Sequence, residues 1–258
     1  MSDQRVALVT AGGGGIGRCI SESLVTQGWA VFICDIDPAA VSDVCEIDGI
    51  EGSVIDVSAP DEVASLISTF QGKHERLDLL INNAGIAGPT AAVEDIDPAD
   101  WQTTINTDLS GPFYVTREAV PLFKRQQFGA IVNIASTAAL FGYPLRSPYA
   151  AAKWAIVGLT KTWAMELGPH NIRVNAICPG SVNGERIERV MTNDAAERGV
   201  SIDKIRATYV RQVSMRTFVD AEEIAEMVSF LADETGKRIS GQIIAVDGHT
   251  EGLSNDFE

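Results

Sequence analysis

Val6-Ala7-Leu8-Val9-Thr10-Ala11-Gly12-Gly13-Gly14-Gly15-Ile16-Gly17 opens the chain with an apolar run that breaks into four consecutive glycines. A short apolar, β-branched run bounded by glycine reads as a buried strand, and the residues from Gly17 to Gln27 read as a helix. Glycines at such a strand-to-helix turn let the backbone approach a pyrophosphate closely. The helix start behind them offers unpaired N–H groups and the positive end of its dipole. Asp35 closes the next apolar run about twenty residues further on, where a carboxylate accepts hydrogen bonds from both ribose hydroxyls of an adenosine. The same charge repels a phosphate on that ribose, and neither Gly14 nor Ile36 supplies a cation to offset it. The pattern therefore selects NAD over NADP.

Working outward, strand-like runs recur at 6–10, 30–35, 52–56, 77–82, 130–135, 173–178 and 242–246. Helical segments are expected near 17–27, 60–73, 98–126, 148–167 and 221–232. Strand and helix in alternation build a parallel sheet with right-handed crossovers. The expected architecture is α/β, a three-layer doubly wound Rossmann fold with a seven-stranded parallel sheet, and 1–258 reads as a single dinucleotide-binding and catalytic domain. From 181 to 214 the chain turns polar and loses the strand pattern. A connection that long with helical pieces of its own reads as a substrate lid.

Twenty basic against 35 acidic residues leave a net charge of -15, which repels phosphate backbones and anionic lipid. Nucleic acid and membrane are thus poor partners. No apolar stretch approaches a membrane span and no signal-peptide core follows Met1, so a cytoplasmic location is expected. Cys19, Cys34, Cys45 and Cys178 stand singly and read as packing thiols, and with only His74, His170 and His249 no metal site is expected.

Tyr149-Ala150-Ala151-Ala152-Lys153 places a phenol and an ammonium four residues apart on a predicted helix, with Ser136 upstream at the end of an apolar run. Positions i and i+4 share a face, so Lys153 can stabilise the Tyr149 phenolate and make it a usable general base. With the glycine turn at 10–17, Asp56-Val57, Asn82-Asn83-Ala84-Gly85 and Pro179-Gly180, these residues follow one order and spacing. In that order the chain resembles a classical short-chain dehydrogenase/reductase over nearly its whole length.

The resemblance implies that Tyr149 exchanges the proton at the substrate oxygen, that Ser136 hydrogen-bonds that oxygen, and that Lys153 binds the nicotinamide ribose. By the same resemblance Gly14, Gly15 and Ile16 line the pyrophosphate and ribose, and Asp56 and Val57 flank the adenine. Asn83 and Ala84 pass near the adenosine ribose, and the backbone at Val182 binds the carboxamide. It also implies a homotetramer, for which Ile156, Leu159, Trp163 and Leu167 on more than one face of their helix suggest burial on two sides.

Three positions depart from the family pattern. Ala11 replaces a glycine of the turn, which is tolerable if its φ is negative. Gly184 stands where a threonine often touches the cofactor. Asp108 occupies the place of an asparagine that supports a proton relay to the lysine; its carboxylate would favour the protonated lysine, whereas Asn106, two residues away on a helix, would face elsewhere. Ala138, Phe141, Tyr143, Leu145 and Arg146 are expected to border the substrate, with Asn183, Glu185, Arg186 and Arg189 from the lid. Arginines there suit a hydroxylated or anionic molecule. A sugar, sugar acid or related polyol is favoured, with a 3-oxoacyl-carrier or other ketone as the alternative and a non-catalytic NAD-sensing regulator as the reading from another class.

Overall fold

A computed structural model describes residues 4–253. Seven parallel strands lie in the order β3-β2-β1-β4-β5-β6-β7. They are β1 (Val6–Thr10), β2 (Ala30–Asp35), β3 (Ile50–Val54), β4 (Leu79–Asn82), β5 (Gly129–Ile134), β6 (Ile172–Pro179) and β7 (Ile243–Val246). Helices α1 (Gly15–Thr26), α2 (Pro38–Val44), α3 (Pro60–Lys73), α4 (Pro98–Ile105), α5 (Gly111–Gln126), α6 (Ser147–Leu167), α7 (Glu185–Arg198), α8 (Ile202–Arg211) and α9 (Ala221–Ala232) connect them.

Alternation along the strands sorts the core into two layers. Leu8, Phe32 and Leu80 pack with Val63, Phe70, Val115 and Phe123 of α3 and α5. Their neighbours Val9, Ile33 and Ile81 face the other way, onto Ile20, Leu24, Val41 and Val228 of α1, α2 and α9. The expected doubly wound, three-layer sheet is what forms.

Three expectations change. The helix α2 was not foreseen although its start is legible, since Asp37 accepts from the Ala39 N–H at 2.8 Å and Pro38 stands at its first position. The single helix expected over 98–126 is interrupted by a π-helical turn, Asn106–Ser110. Pro112 has no N–H for the Asp108 carbonyl four residues before it, and its ring crowds that carbonyl, so the helix widens there. Finally, Ile156, Trp163 and Leu167 are buried in the chain's own core and Leu159 packs partly against it. Because α6 packs on β6 and against α4 at once, both of its apolar sides are covered within the chain. Its exposed stripe holds instead Trp154 and Met165, 51% and 81% accessible, eleven residues apart and hence on one face.

Between β6 and α9, the polar segment forms α7 and α8. Met191, Ile205, Tyr209 and Phe218 give it a small apolar cluster of its own. Among the described residues no helix is long and apolar enough to cross a membrane.

Candidate active site

A cavity of about 770 Å³ opens beyond the C-terminal ends of β1, β2, β4, β5 and β6, the crevice where an open parallel sheet receives ligands. Gly14, Gly15 and Ile16 line it at the start of α1, where no side chain caps the helix and no acidic residue occupies the first turn. A Cβ built on Gly14 or Gly15 would meet nothing within 4 Å, so the free N–H groups face open space that suits a pyrophosphate. Gly17 is required for a different reason: a Cβ there would lie 2.0 Å from the Ala11 carbonyl oxygen.

Ala11 itself has φ 49, so the condition of negative φ is not met. An alanine in the left-handed region costs about 1–2 kcal/mol relative to a relaxed backbone. The turn is held regardless by a set of hydrogen bonds. Asn83 Nδ2 donates to the carbonyls of Thr10 and Ala11 at 3.0 and 3.1 Å, and the Thr10 hydroxyl accepts from the N–H groups of Asn83 and Ala84, both at 2.9 Å. Thr10 is 1% exposed. Thr10→Val strands the buried Ala84 N–H and the half-buried Asn83 N–H, so a stability loss of about 1–3 kcal/mol in denaturant melts is expected; no loss would show that this hydroxyl does not hold the turn.

At the end of β2, Asp35 Oδ2 accepts from the Gly13 N–H and Oδ1 from the Asp37 N–H, both at 3.1 Å. Glu22, Asp37 and Glu222 line the same end of the cavity. The cation there, Arg18, is engaged by Glu22 at 2.7 Å and by Asp43. Sequence reasoning missed these neighbours. Arg18 and Glu22 had a signal in their i, i+4 spacing, but Glu222 lies two hundred residues away along the chain and had none.

At the other end stand Ser136, just beyond β5, and Tyr149 and Lys153 in the first two turns of α6. Ser136 Oγ accepts from the Ala138 N–H at 3.1 Å. Lys153 Nζ lies 5.6 Å from the Tyr149 ring centre and donates to the Ile134 carbonyl at 3.1 Å. A buried lattice aligns these elements. Asn82 Nδ2 donates to Thr116 Oγ1 and Asn133 Oδ1, and Asn133 Nδ2 donates to Thr160 Oγ1, pinning α5 and α6 to the middle of the sheet.

Asp108 sits behind Lys153, fully buried in the π-turn. Its Oδ1 accepts from the Ile86 N–H at 2.7 Å, and its Oδ2 has no hydrogen-bond partner but lies 3.7 Å from Lys153 Nζ. Desolvation pushes this carboxyl above its ordinary range, partly opposed by the Lys153 charge and the Ile86 hydrogen bond. Asn106, by contrast, accepts from Gln102 Nε2 on the outer face.

Val182 lines the cavity, held by a parallel bridge to Val219. Arg146, Asn183 and Arg186 also reach its wall, although the Asn183 amide is directed to Asp220 at 2.7 Å. Tyr143, Glu185 and Arg189 reach it as well; Ala138, Phe141 and Leu145 do not. Asp56, Val57 and Ala84 lie off the wall. The Asp56 carboxylate accepts from the Ser58 N–H, Val57 packs under Gly111, and the Ala84 N–H is taken by Thr10. Among the described residues no group of metal-ligating side chains converges.

Sheet, glycine turn and the Ser136, Tyr149 and Lys153 wall together define the class of dinucleotide-dependent oxidoreductases. A family model described as enoyl-(acyl carrier protein) reductase matches residues 10–250. The chain is 34% identical over 249 residues to the 3-oxoacyl-(acyl-carrier-protein) reductase of Thermotoga maritima, covering 95% of this chain and 96% of that one. It is 30% identical over 252 residues to the D-beta-hydroxybutyrate dehydrogenase of Rhizobium meliloti, covering 95% and 97%. Among solved structures, NAD-bound xylitol dehydrogenase superposes with TM-score 0.92 at 30% identity, covering 95% of this chain and 98% of that one. Actinorhodin polyketide ketoreductase with NADPH superposes with 0.91 at 30% identity, covering 98% of each. The chain belongs to the short-chain dehydrogenase/reductase family and uses a nicotinamide dinucleotide.

Proposed function

We propose that the protein transfers a hydride between NAD and a secondary alcohol, with a sugar, sugar acid or related polyol as the favoured substrate. The observation that carries this is the convergence of Ser136, Tyr149 and Lys153 on the wall that also holds Gly14, Gly15 and Asp35. The nicotinamide, when bound, supplies the redox chemistry. Tyr149 takes the hydroxyl proton during oxidation and returns it during reduction. Ser136 donates to the substrate oxygen, where negative charge develops. Lys153 binds the nicotinamide ribose and sets the field at the Tyr149 phenol, and Asp108 stands behind it as the rear member of the relay. The Val182 backbone holds the carboxamide, and Asp56, Val57, Asn83 and Ala84 belong to the adenosine side. The segment 181–214 serves as the lid over the single domain, and the exposed Trp154, Met165 and Phe113 suit a homotetramer, which light scattering checks.

NAD preference follows from the charge around the adenosine ribose. Asp35, Asp37, Glu22 and Glu222 face that end, and the Arg18 guanidinium is already held by two carboxylates. Asp35→Ala removes the charged acceptor to which the ribose hydroxyls donate, worth about 1.5–3 kcal/mol, so kcat/KM for NAD should fall roughly 10–100-fold while the value for NADP rises. An unchanged ratio of the two cofactors would remove Asp35 from the selection.

Turnover is tested by adding NAD and a panel of alcohols and following reduced nicotinamide by absorbance. Silence across the panel with NAD binding confirmed favours an NAD-sensing regulator. Reduction of an acyl-carrier ketone with no oxidation of polyols favours the second reading, for which the Thermotoga maritima relative speaks.

A further inference from the structure

Positive charge is concentrated around Tyr149 beyond what proton exchange needs. Arg146, Tyr149 and Lys153 follow the spacing i, i+3, i+7, which makes one stripe at the start of α6. The Arg146 guanidinium carbon lies 5.4 Å from the Tyr149 ring centre and 5.3 Å from that of Tyr143. Arg186 approaches from α7, its guanidinium carbon 5.9 Å from the Tyr149 ring centre. Asp108 lies 3.7 Å from Lys153 and also feels the Arg186 charge, whereas Arg146 has no ion pair among the described residues. Glu185 on the same wall lies in solvent and pairs with Arg189 at 3.5 Å.

Arg146 lines the cavity yet is only 4% exposed. One terminal nitrogen donates to the Ala87 carbonyl at 2.6 Å, while its buried Nε has no partner. In a chain with fifteen more acidic than basic residues (35 less 20), a buried guanidinium without a carboxylate among the described residues calls for a reason. Removing such a charge from water costs several kcal/mol unless an anion completes it. The Ala87 carbonyl neutralises no charge; it fixes the orientation of the fork and leaves the rest of it without a protein hydrogen-bond partner among the described residues, on a side chain that lines the cavity. A cofactor pyrophosphate would find its own donors at the uncapped start of α1.

We propose that Arg146, assisted by Arg186, binds a carboxylate of the substrate itself. The substrate is then a short hydroxy acid, with its oxo acid as product, whose carboxylate lies close to the carbinol carbon; neutral polyols and carrier-bound thioesters lack that charge. Specificity resides in a guanidinium one helical turn before the proton-exchanging phenol. This assignment rests on Tyr149 handling the carbinol oxygen.

The test compares β-hydroxybutyrate with its neutral amide as substrates of the NAD-saturated protein. Wild type should favour the acid, and Arg146→Gln should lower the acid-to-amide ratio of kcat/KM by about 10–100-fold, as expected for a charge-assisted hydrogen bond worth about 1.5–3 kcal/mol. Arg146→Lys, which keeps the charge without the fork, should recover part of that ratio. An unaltered NAD Kd shows that both variants are folded. A binding arm uses β-hydroxyisovalerate, whose tertiary carbinol cannot be oxidised, titrated calorimetrically into the NAD complex. Weaker binding to Arg146→Gln than to wild type supports the carboxylate site even where no turnover is seen, in which case the oxidoreductase reading of the carbinol fails and the site stands. No binding to wild type at millimolar concentration, or an equal loss for acid and amide in Arg146→Gln, overturns the proposal.

Discussion

Tyr149→Phe is expected to lower turnover about a hundred- to ten-thousand-fold, the range associated with loss of a positioned proton-exchanging group. The substitution deletes one oxygen and keeps the ring against which Lys153, Arg146 and Arg186 are arrayed. No hydrogen bond between that hydroxyl and the protein is present among the described residues, so the melting temperature should barely move. NAD affinity should also be retained, because the turn at Gly14 and the carboxylate of Asp35 lie at the other end of the cavity. A rate within tenfold of wild type would show that another group exchanges the proton.

Asp108 gives the second large effect, and its two variants should diverge. Asp108→Ala removes the acceptor of the Ile86 N–H and leaves Lys153 buried without an anion, a loss of about 3–5 kcal/mol for a broken buried pair. Asp108→Asn also takes the anion from Lys153 but keeps an oxygen for the Ile86 N–H, so it should lose less stability than Asp108→Ala, by about the 1–3 kcal/mol that a stranded buried N–H costs. Since the carboxyl titrates above its ordinary range, the folded chain holds a proton that the unfolded chain releases in the window between the two values. Stability therefore falls as pH rises through that window, and Asp108→Asn should flatten this slope. In catalysis, removing negative charge from behind the ammonium leaves its field at the phenol less compensated. The acid limb of the oxidation profile should move to lower pH in Asp108→Asn. Melts and kcat/KM followed against pH check both; an unchanged profile in both variants would reduce Asp108 to a packing residue.

Asp108 also shows how far local pattern carries. Its place before Gly111 and after Trp101 was readable, and so was the i, i+4 geometry of Tyr149 and Lys153, because both rest on the period of one helix. The widening at Asn106–Ser110 was not drawn from the residues, although Pro112 contains its cause. The left-handed φ of Ala11 escaped as well, because a residue's φ in a tight turn is set by what must approach it, here the start of α1 at Gly17 and the Asn83 amide. Ile156, Leu159, Trp163 and Leu167 suggested burial on two sides, and they are covered within the chain: periodicity tells that a face is apolar and says nothing of what covers it.

By itself the sequence determined the alternation of strand and helix, the glycine turn, the acid at the end of β2 and the Ser136, Tyr149 and Lys153 set. These depend on residue type and short spacing, through backbone sterics, side-chain alternation and helical period. Only the tertiary structure decided which charges meet. Glu222 joins Asp35 and Glu22 across the chain, Asp108 is sealed against Lys153, and Arg146 is buried without a carboxylate among the described residues. Burial and distance between elements remote in sequence set the energy of a charge, and both come into being only when the sheet brings those elements together.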